Sequence, residues 1–197
     1  MKPWIWGRIG ELAGLAWYAS RIPGAFVECG AENGFSASVI AHNSRHPDVR
    51  HVWLFDSWQG LPKPTEQDGP VATSSYESKN GLWCVGSMKV VREAFDSIGW
   101  PEDHLHLIPG WFADTLSSVE PGPIAILHLD ADWYESTKLA LERFYDDVVP
   151  GGAIRVDDYY HWPGCREAVD EFLSTRSIDA RACCQEDVYW YMLKAGK

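Results

Sequence analysis

The chain lacks positive charge: 17 Lys and Arg stand against 28 Asp and Glu, a formal net charge of −11 over 197 residues. Phosphate backbones reward clustered cations, so the balance speaks against nucleic acid as a partner. A cationic ligand or a metal ion suits it better, although surplus acid also serves solubility. Long apolar runs are missing too. The short N-terminal one is broken by Arg8 and Glu11, which excludes a membrane span or a signal segment there. The five cysteines (Cys29, Cys84, Cys165, Cys183 and Cys184) form no C-x-x-C pair, and an odd count in a chain of this size fits reduced thiols rather than a secreted disulfide framework. Repeats and low-complexity tracts are absent. One soluble, cytoplasmic domain is therefore expected, with no membrane contact.

What is present is an ordinary globular composition, 46% hydrophobic and 23% charged, with eleven tryptophans. Trp58, Trp83, Trp111, Trp133 and Trp162 fall in expected loops, where packing competes with ligand stacking as their role. Trp6, Ile9, Ala13, Ala16 and Trp17 mark one face of an N-terminal helix over residues 4–19. Strands are expected at 25–28, 51–55, 105–108, 124–129, 153–156, 178–182 and 188–193. Helices are expected at 36–43, 90–98 and 112–118, around Leu141, Phe144, Tyr145 and Val148, and around Cys165, Ala168, Val169 and Phe172. Residues 57–86 show no period and read as a lid loop. Alternating strands and helices with apolar central strands predict an α/β, Rossmann-like, doubly wound and mostly parallel sheet of seven strands, with helices on both faces and an antiparallel C-terminal strand.

Ligands of such sheets lie beyond the carboxyl ends of the strands, where the strand order reverses. The first strand leads into Glu28-Cys29-Gly30-Ala31-Glu32-Asn33-Gly34, an E-x-G-x-x-x-G turn. Gly30 permits a sharp turn with room for a ligand, and Gly34 a close approach before the helix. Asp56 closes the second strand, where an acidic residue accepts hydrogen bonds from a ribose diol; a plain turn-forming Asp is the competing reading. A dinucleotide pyrophosphate prefers G-x-G-x-x-G, whereas Glu28 and Glu32 would repel it and suit the cationic amino and sulfonium groups of S-adenosylmethionine. Tyr134 and Lys138 match the Y-x-x-x-K of short-chain dehydrogenases, but the T-G-x-x-x-G-x-G turn of those enzymes is lacking.

The fourth strand ends in Asp130-Ala131-Asp132 and the fifth in Asp157-Asp158. Adjacent strand ends lie about 5 Å apart, so Asp130, Asp157 and Asp158 converge there. Carboxylates that close repel unless protonated or bridged, and Mg²⁺ is the natural bridge. Capping of the next helix by Asp157-Asp158 is the alternative, and the position of Pro163 fits it poorly.

Five segments together resemble the macrocin O-methyltransferase (TylF-type) family: 28–34; Phe55-Asp56-Ser57-Trp58-Gln59-Gly60-Leu61-Pro62; Pro109-Gly110-Trp111-Phe112 with Asp114-Thr115-Leu116; Asp130 through Thr137; and Gly151-Gly152 through Tyr159. The resemblance implies a metal-dependent enzyme that methylates sugar hydroxyls on antibiotics. It implies Mg²⁺ on Asp130, Asp157 and Asp158, a base at Asp130 with Asp132 as the lesser candidate, and a cofactor site that takes in Ser57, Trp111 and Phe112. Family members generally carry a longer N-terminal arm than this sequence shows. The strand-end D-x-D is also similar to that of catechol-type O-methyltransferases, whose lysine is replaced here by Trp133.

The expected reaction is an in-line methyl transfer from S-adenosylmethionine to a hydroxyl whose pKa the metal lowers. Asp130, or His161 in the following loop, takes the proton. A phenolic acceptor and a non-catalytic member that binds the cofactor or a partner protein are the rival readings, and a homodimer is compatible with either.

Overall fold

Strands β1 (Ala25–Cys29) and β4 (Ile124–Leu129) are buried at every position, because helices cover both faces of the sheet they centre. The computed structural model describes residues 3–44, 50–178 and 190–196, without the side chains of residues 3–8. Four further strands complete the sheet: β2 (Val52–Asp56), β3 (Leu105–Pro109), β5 (Val148–Val156) and β6 (Trp190–Leu193). Their order is β3-β2-β1-β4-β5-β6. The first five are parallel and β6 runs antiparallel to β5. The order reverses between β1 and β4, which opens a crevice at their carboxyl ends.

Alternation along each strand splits the core in two. Phe26, Leu54 and Ile126 meet Leu12, Ala16 and Ala19 of α1 (Pro3–Ala19), Ile40 of α2 (Phe35–Asn43) and Phe95 of α4 (Met88–Ser97). Val27, Phe55 and Leu127 meet Leu141 and Phe144 of α6 (Tyr134–Phe144) and Val169 and Phe172 of α7 (Pro163–Thr175). Burying each Val, Leu, Ile or Phe side chain among these contributes about 1.5–3 kcal/mol. Arg50 ties α1 to β1. Its buried guanidinium donates to the carbonyls of Ala19 (3.0 Å), Ile22 (3.2 Å) and Gly24 (2.8 Å), satisfying acceptors that the helix end leaves open. Burial lowers its pKa to about 10.

The structure corrects three expectations. The buried stripe of α1 is Leu12, Ala16 and Ala19, while Trp17 is 65% exposed under the Arg21 guanidinium. Small side chains let α1 lie close to the sheet, and Trp17, one residue round the helix, is turned away. The sixth helix starts at Tyr134 and Val148 already belongs to β5. The sheet has six strands among the described residues; most of the strand expected at 178–182 falls outside them, and Ile178 is not in a strand.

Residues 57–86, expected as a structureless lid, contain a 3-10 turn (Glu66–Asp68) and the helix α3 (Gly69–Ser78). Their fastening is polar and aromatic. Asp68, 1% exposed, accepts from the Thr65 amide (2.7 Å) and hydroxyl (2.9 Å) and from the Tyr134 amide at the start of α6 (2.8 Å). A Cβ at Gly164 would stand 2.2 Å from an Asp68 oxygen, so α7 approaches this carboxylate only through glycine. Trp83 packs edge-on against Trp133 and Trp162. Only Ala72 of α3 is buried, so no apolar period announced the helix.

Candidate active site

At the crevice, β1 turns through Gly30 at φ +93°. A Cβ there would stand 1.8 Å from the Asp130 carbonyl oxygen, so only glycine lets the ends of β1 and β4 come this close. The turn borders a cavity of about 380 Å³, counting its open mouth. Gly30, Asp56, Ser57, Trp111 and Phe112 line it together with Asp130 and Ser136. Five expected cofactor residues thus meet around one space.

Asp56 closes β2 at the cavity wall. Its two oxygens accept from the Glu32 amide (2.8 Å) and the Trp58 amide (2.6 Å). Burial raises its pKa and these amide hydrogen bonds oppose the rise. The Trp58 indole then donates to the Glu32 carbonyl (2.9 Å), so the loops after β1 and β2 are laced together.

Gly34 and Glu28 stand elsewhere. Gly34, at φ +75°, packs against Val91, where a Cβ would lie 3.2–3.3 Å from three of its atoms. Glu28 is wholly buried beneath the turn. Its Oε1 accepts from the Ser36 hydroxyl (2.5 Å) and from the His128 ring (2.7 Å).

Beside the cavity, Asp130, Asp132 and Asp158 each offer an oxygen within 4.8 Å of the other two. Asp132 adopts φ +55° and accepts from the Trp162 indole (2.9 Å). Burial, and then the Asp130 charge, push its pKa up to about 8 against that hydrogen bond. Asp157, expected in this group, has its Oδ1 2.6 Å from Nη1 of Arg155. His161 is exposed and lies edge-on against Trp162. Half-buried Cys84 sits in the same acidic field; burial first and Asp132 next push its thiol up to about 12.

A set of carboxylate oxygens this close matches a hard divalent cation, which prefers oxygen donors. The glycine-lined cavity with a strand-end carboxylate matches an adenosyl group. Sequence reading missed Asp68, Trp162 as the Asp132 partner, and the buried row of Glu28, His128 and Arg155. The signal for the row was legible: His128 and Arg155 interrupt strands that are otherwise apolar.

The described residues include no helix long and apolar enough to cross a membrane. Among proteins of known activity, the chain is 34% identical to the demethyldecarbamoylnovobiocin O-methyltransferase of Streptomyces niveus over 177 residues, which cover 87% of this chain and 67% of that one. It is 36% identical over 157 residues to 8-demethyl-8-(2,3-dimethoxy-alpha-L-rhamnosyl)-tetracenomycin-C 4'-O-methyltransferase of Streptomyces olivaceus, covering 78% of this chain and 59% of that one. The chain thus spans about three fifths to two thirds of the length of these relatives. The solved structure of the O-methyltransferase NovP superposes with a TM-score of 0.82 at 28% identity, covering 94% of this chain and 80% of that one. The family model of the macrocin-O-methyltransferases (TylF) matches residues 15–191, and the chain belongs to that family.

Proposed function

We propose that the chain moves the methyl group of S-adenosylmethionine to a sugar hydroxyl of a glycosylated natural product, with Mg²⁺ held at the acidic rim. The observation that carries this reading is the double position of Asp130, which lines the cavity and also belongs to the carboxylate group beside it. Donor and acceptor sites therefore share a wall, as an in-line displacement requires. When bound, the cofactor supplies an electrophilic methyl group and the cation lowers the pKa of the acceptor hydroxyl.

The chain's own residues do the rest. Asp56, on the cavity wall, accepts hydrogen bonds from the ribose hydroxyls. Ser57, Trp111 and Phe112 border the adenine end, and Gly30 leaves the backbone open to the cofactor. Asp130 and Asp158 hold the cation, with Asp157 as a further ligand. Asp132 takes the hydroxyl proton: its oxygen lies within 4.8 Å of those of Asp130 and Asp158, and the Trp162 indole fixes its direction. This reading moves the base from Asp130 to Asp132 and leaves His161 outside the chemistry. The catechol-type lysine position is filled by Trp133, which is 2% exposed and donates to the Pro62 carbonyl (2.9 Å); that favours the sugar over the phenol acceptor.

The test is a screen of glycosylated intermediates for a gain of one methyl mass, with wild type and Asp130→Asn. Turnover by wild type, reduced at least about 100-fold in the variant through loss of a cation ligand, is expected. Full activity of Asp130→Asn would overturn the reading.

A further inference from the structure

Below the site lies a row of side chains that the proposed chemistry does not use. Strand register sets Glu28 of β1 beside His128 of β4, and His128 beside Arg155 of β5. All three are at most 1% exposed. Ser36 of α2 begins the row with its hydroxyl on Glu28 Oε1 (2.5 Å). His128 bridges the two charges, Nδ1 at 2.7 Å from Glu28 and Nε2 at 2.6 Å from Arg155 Nη1. The same Nη1 reaches Asp157 Oδ1 at 2.6 Å.

Hydrogen-bond roles in this row assign themselves. A guanidinium only donates and a carboxylate only accepts. His128 therefore donates from Nδ1 to Glu28 and accepts at Nε2 from Arg155. Nη1 stands 2.6 Å from both His128 Nε2 and Asp157 Oδ1, the second contact being an ion pair. Glu28 Oε2 is buried without a hydrogen-bond partner among the described residues, so this carboxylate relies on the row for compensation. Such a row is costly to bury, and replacing it with apolar residues would usually not weaken a core. What it does here is hold one guanidinium at a fixed place with its charge against Asp157.

We propose that Arg155 is a positioning residue for the metal site. Braced by His128, Glu28 and Ser36, it fixes the Asp157 carboxylate at the acidic rim and links the cofactor strand β1 to the rim strand β5. The inference rests on the proposed metal site. Partners that orient metal ligands typically govern affinity by 10- to 100-fold.

The experiment measures Mn²⁺ binding to the purified protein by electron paramagnetic resonance, without acceptor, for wild type, Arg155→Met, Asp157→Asn and the double variant. Calorimetric titration with S-adenosylmethionine runs in parallel. Arg155→Met is expected to weaken Mn²⁺ about tenfold or more and to leave cofactor affinity within about threefold. The double variant is expected to match Asp157→Asn alone, because a residue acting through Asp157 adds nothing once Asp157 is changed. A purely structural role would instead give additive losses in both titrations. Should Arg155→Met fail to fold, Arg155→Lys replaces it: the charge stays while the planar group that meets His128 and Asp157 together is lost, and intermediate Mn²⁺ affinity is expected. Unchanged Mn²⁺ affinity in the Arg155 variant, or additive losses, overturns the inference while wild-type binding keeps the metal site itself intact. Absence of Mn²⁺ binding by wild type overturns both.

Discussion

The glycine-bordered cavity and the acidic rim share one end of the sheet but are held by opposite means. Backbone holds the cavity: Gly30 lies against the Asp130 carbonyl, and Asp56 collects the amides of Glu32 and Trp58. Side chains hold the rim: the Trp162 indole grips Asp132, Arg155 grips Asp157, and Trp83, Trp133 and Trp162 clamp residues 57–86 above them. The comparison teaches where each half is vulnerable. A backbone-built site fails through glycine substitution, and an indole-built one through loss of a single N–H.

The largest effect is expected from Gly30→Ala. The added methyl meets a carbonyl at 1.8 Å on a left-handed backbone, which costs about 3 kcal/mol or more. Thermal melting should drop by several degrees and cofactor binding should disappear. A stable variant that still binds would break the backbone half of the comparison. Asp56→Ala comes next, with cofactor affinity falling about 10- to 100-fold by calorimetry, the value of hydrogen bonds to a charged group. Unchanged affinity would remove Asp56 from the donor site.

Trp162→Phe keeps the ring contacts with Trp83 and Trp133 and deletes the hydrogen bond to Asp132. Turnover should fall about tenfold while cofactor affinity stays level. Equal losses in both would show that the halves are not separately held.

The smallest effect is one of pH, away from the site. His106 on β3 stacks on Trp53 and meets His51 at 2.8 Å. Burial, then His51 and His104, lower its pKa below 6.5. The unfolded chain therefore takes up this proton first. Its contribution to stability is complete above pH 6.5 and is lost as pH falls through 6.5 toward the depressed folded value. Melting temperature should decline slightly from pH 7.5 to 5.5, and less so in His106→Asn.

Much of the cavity's framework was legible in the chain. Gly30 and Asp56 announce themselves because a positive-φ turn and a strand-end carboxylate leave short-range marks, and the apolar runs of β1 and β4 reveal a sheet covered on both faces. Residues 57–86 were misread because Asp68, Gly164 and Tyr134 act on each other across 66 and 96 positions. Glu28 illustrates the same limit. Its place in the turn motif pointed to the cofactor, yet strand alternation turns its side chain under the sheet toward His128.

By itself, the sequence determined the α/β alternation, the glycine turn after β1 and the supply of strand-end carboxylates, since each depends on residues within a few positions of one another. Only the tertiary structure decided which carboxylates face one another, that Arg155 claims Asp157, and that the Trp162 indole, packed against Trp83 and Trp133, reaches Asp132. Those outcomes depend on strand register and on contacts between distant segments, and no local pattern encodes either.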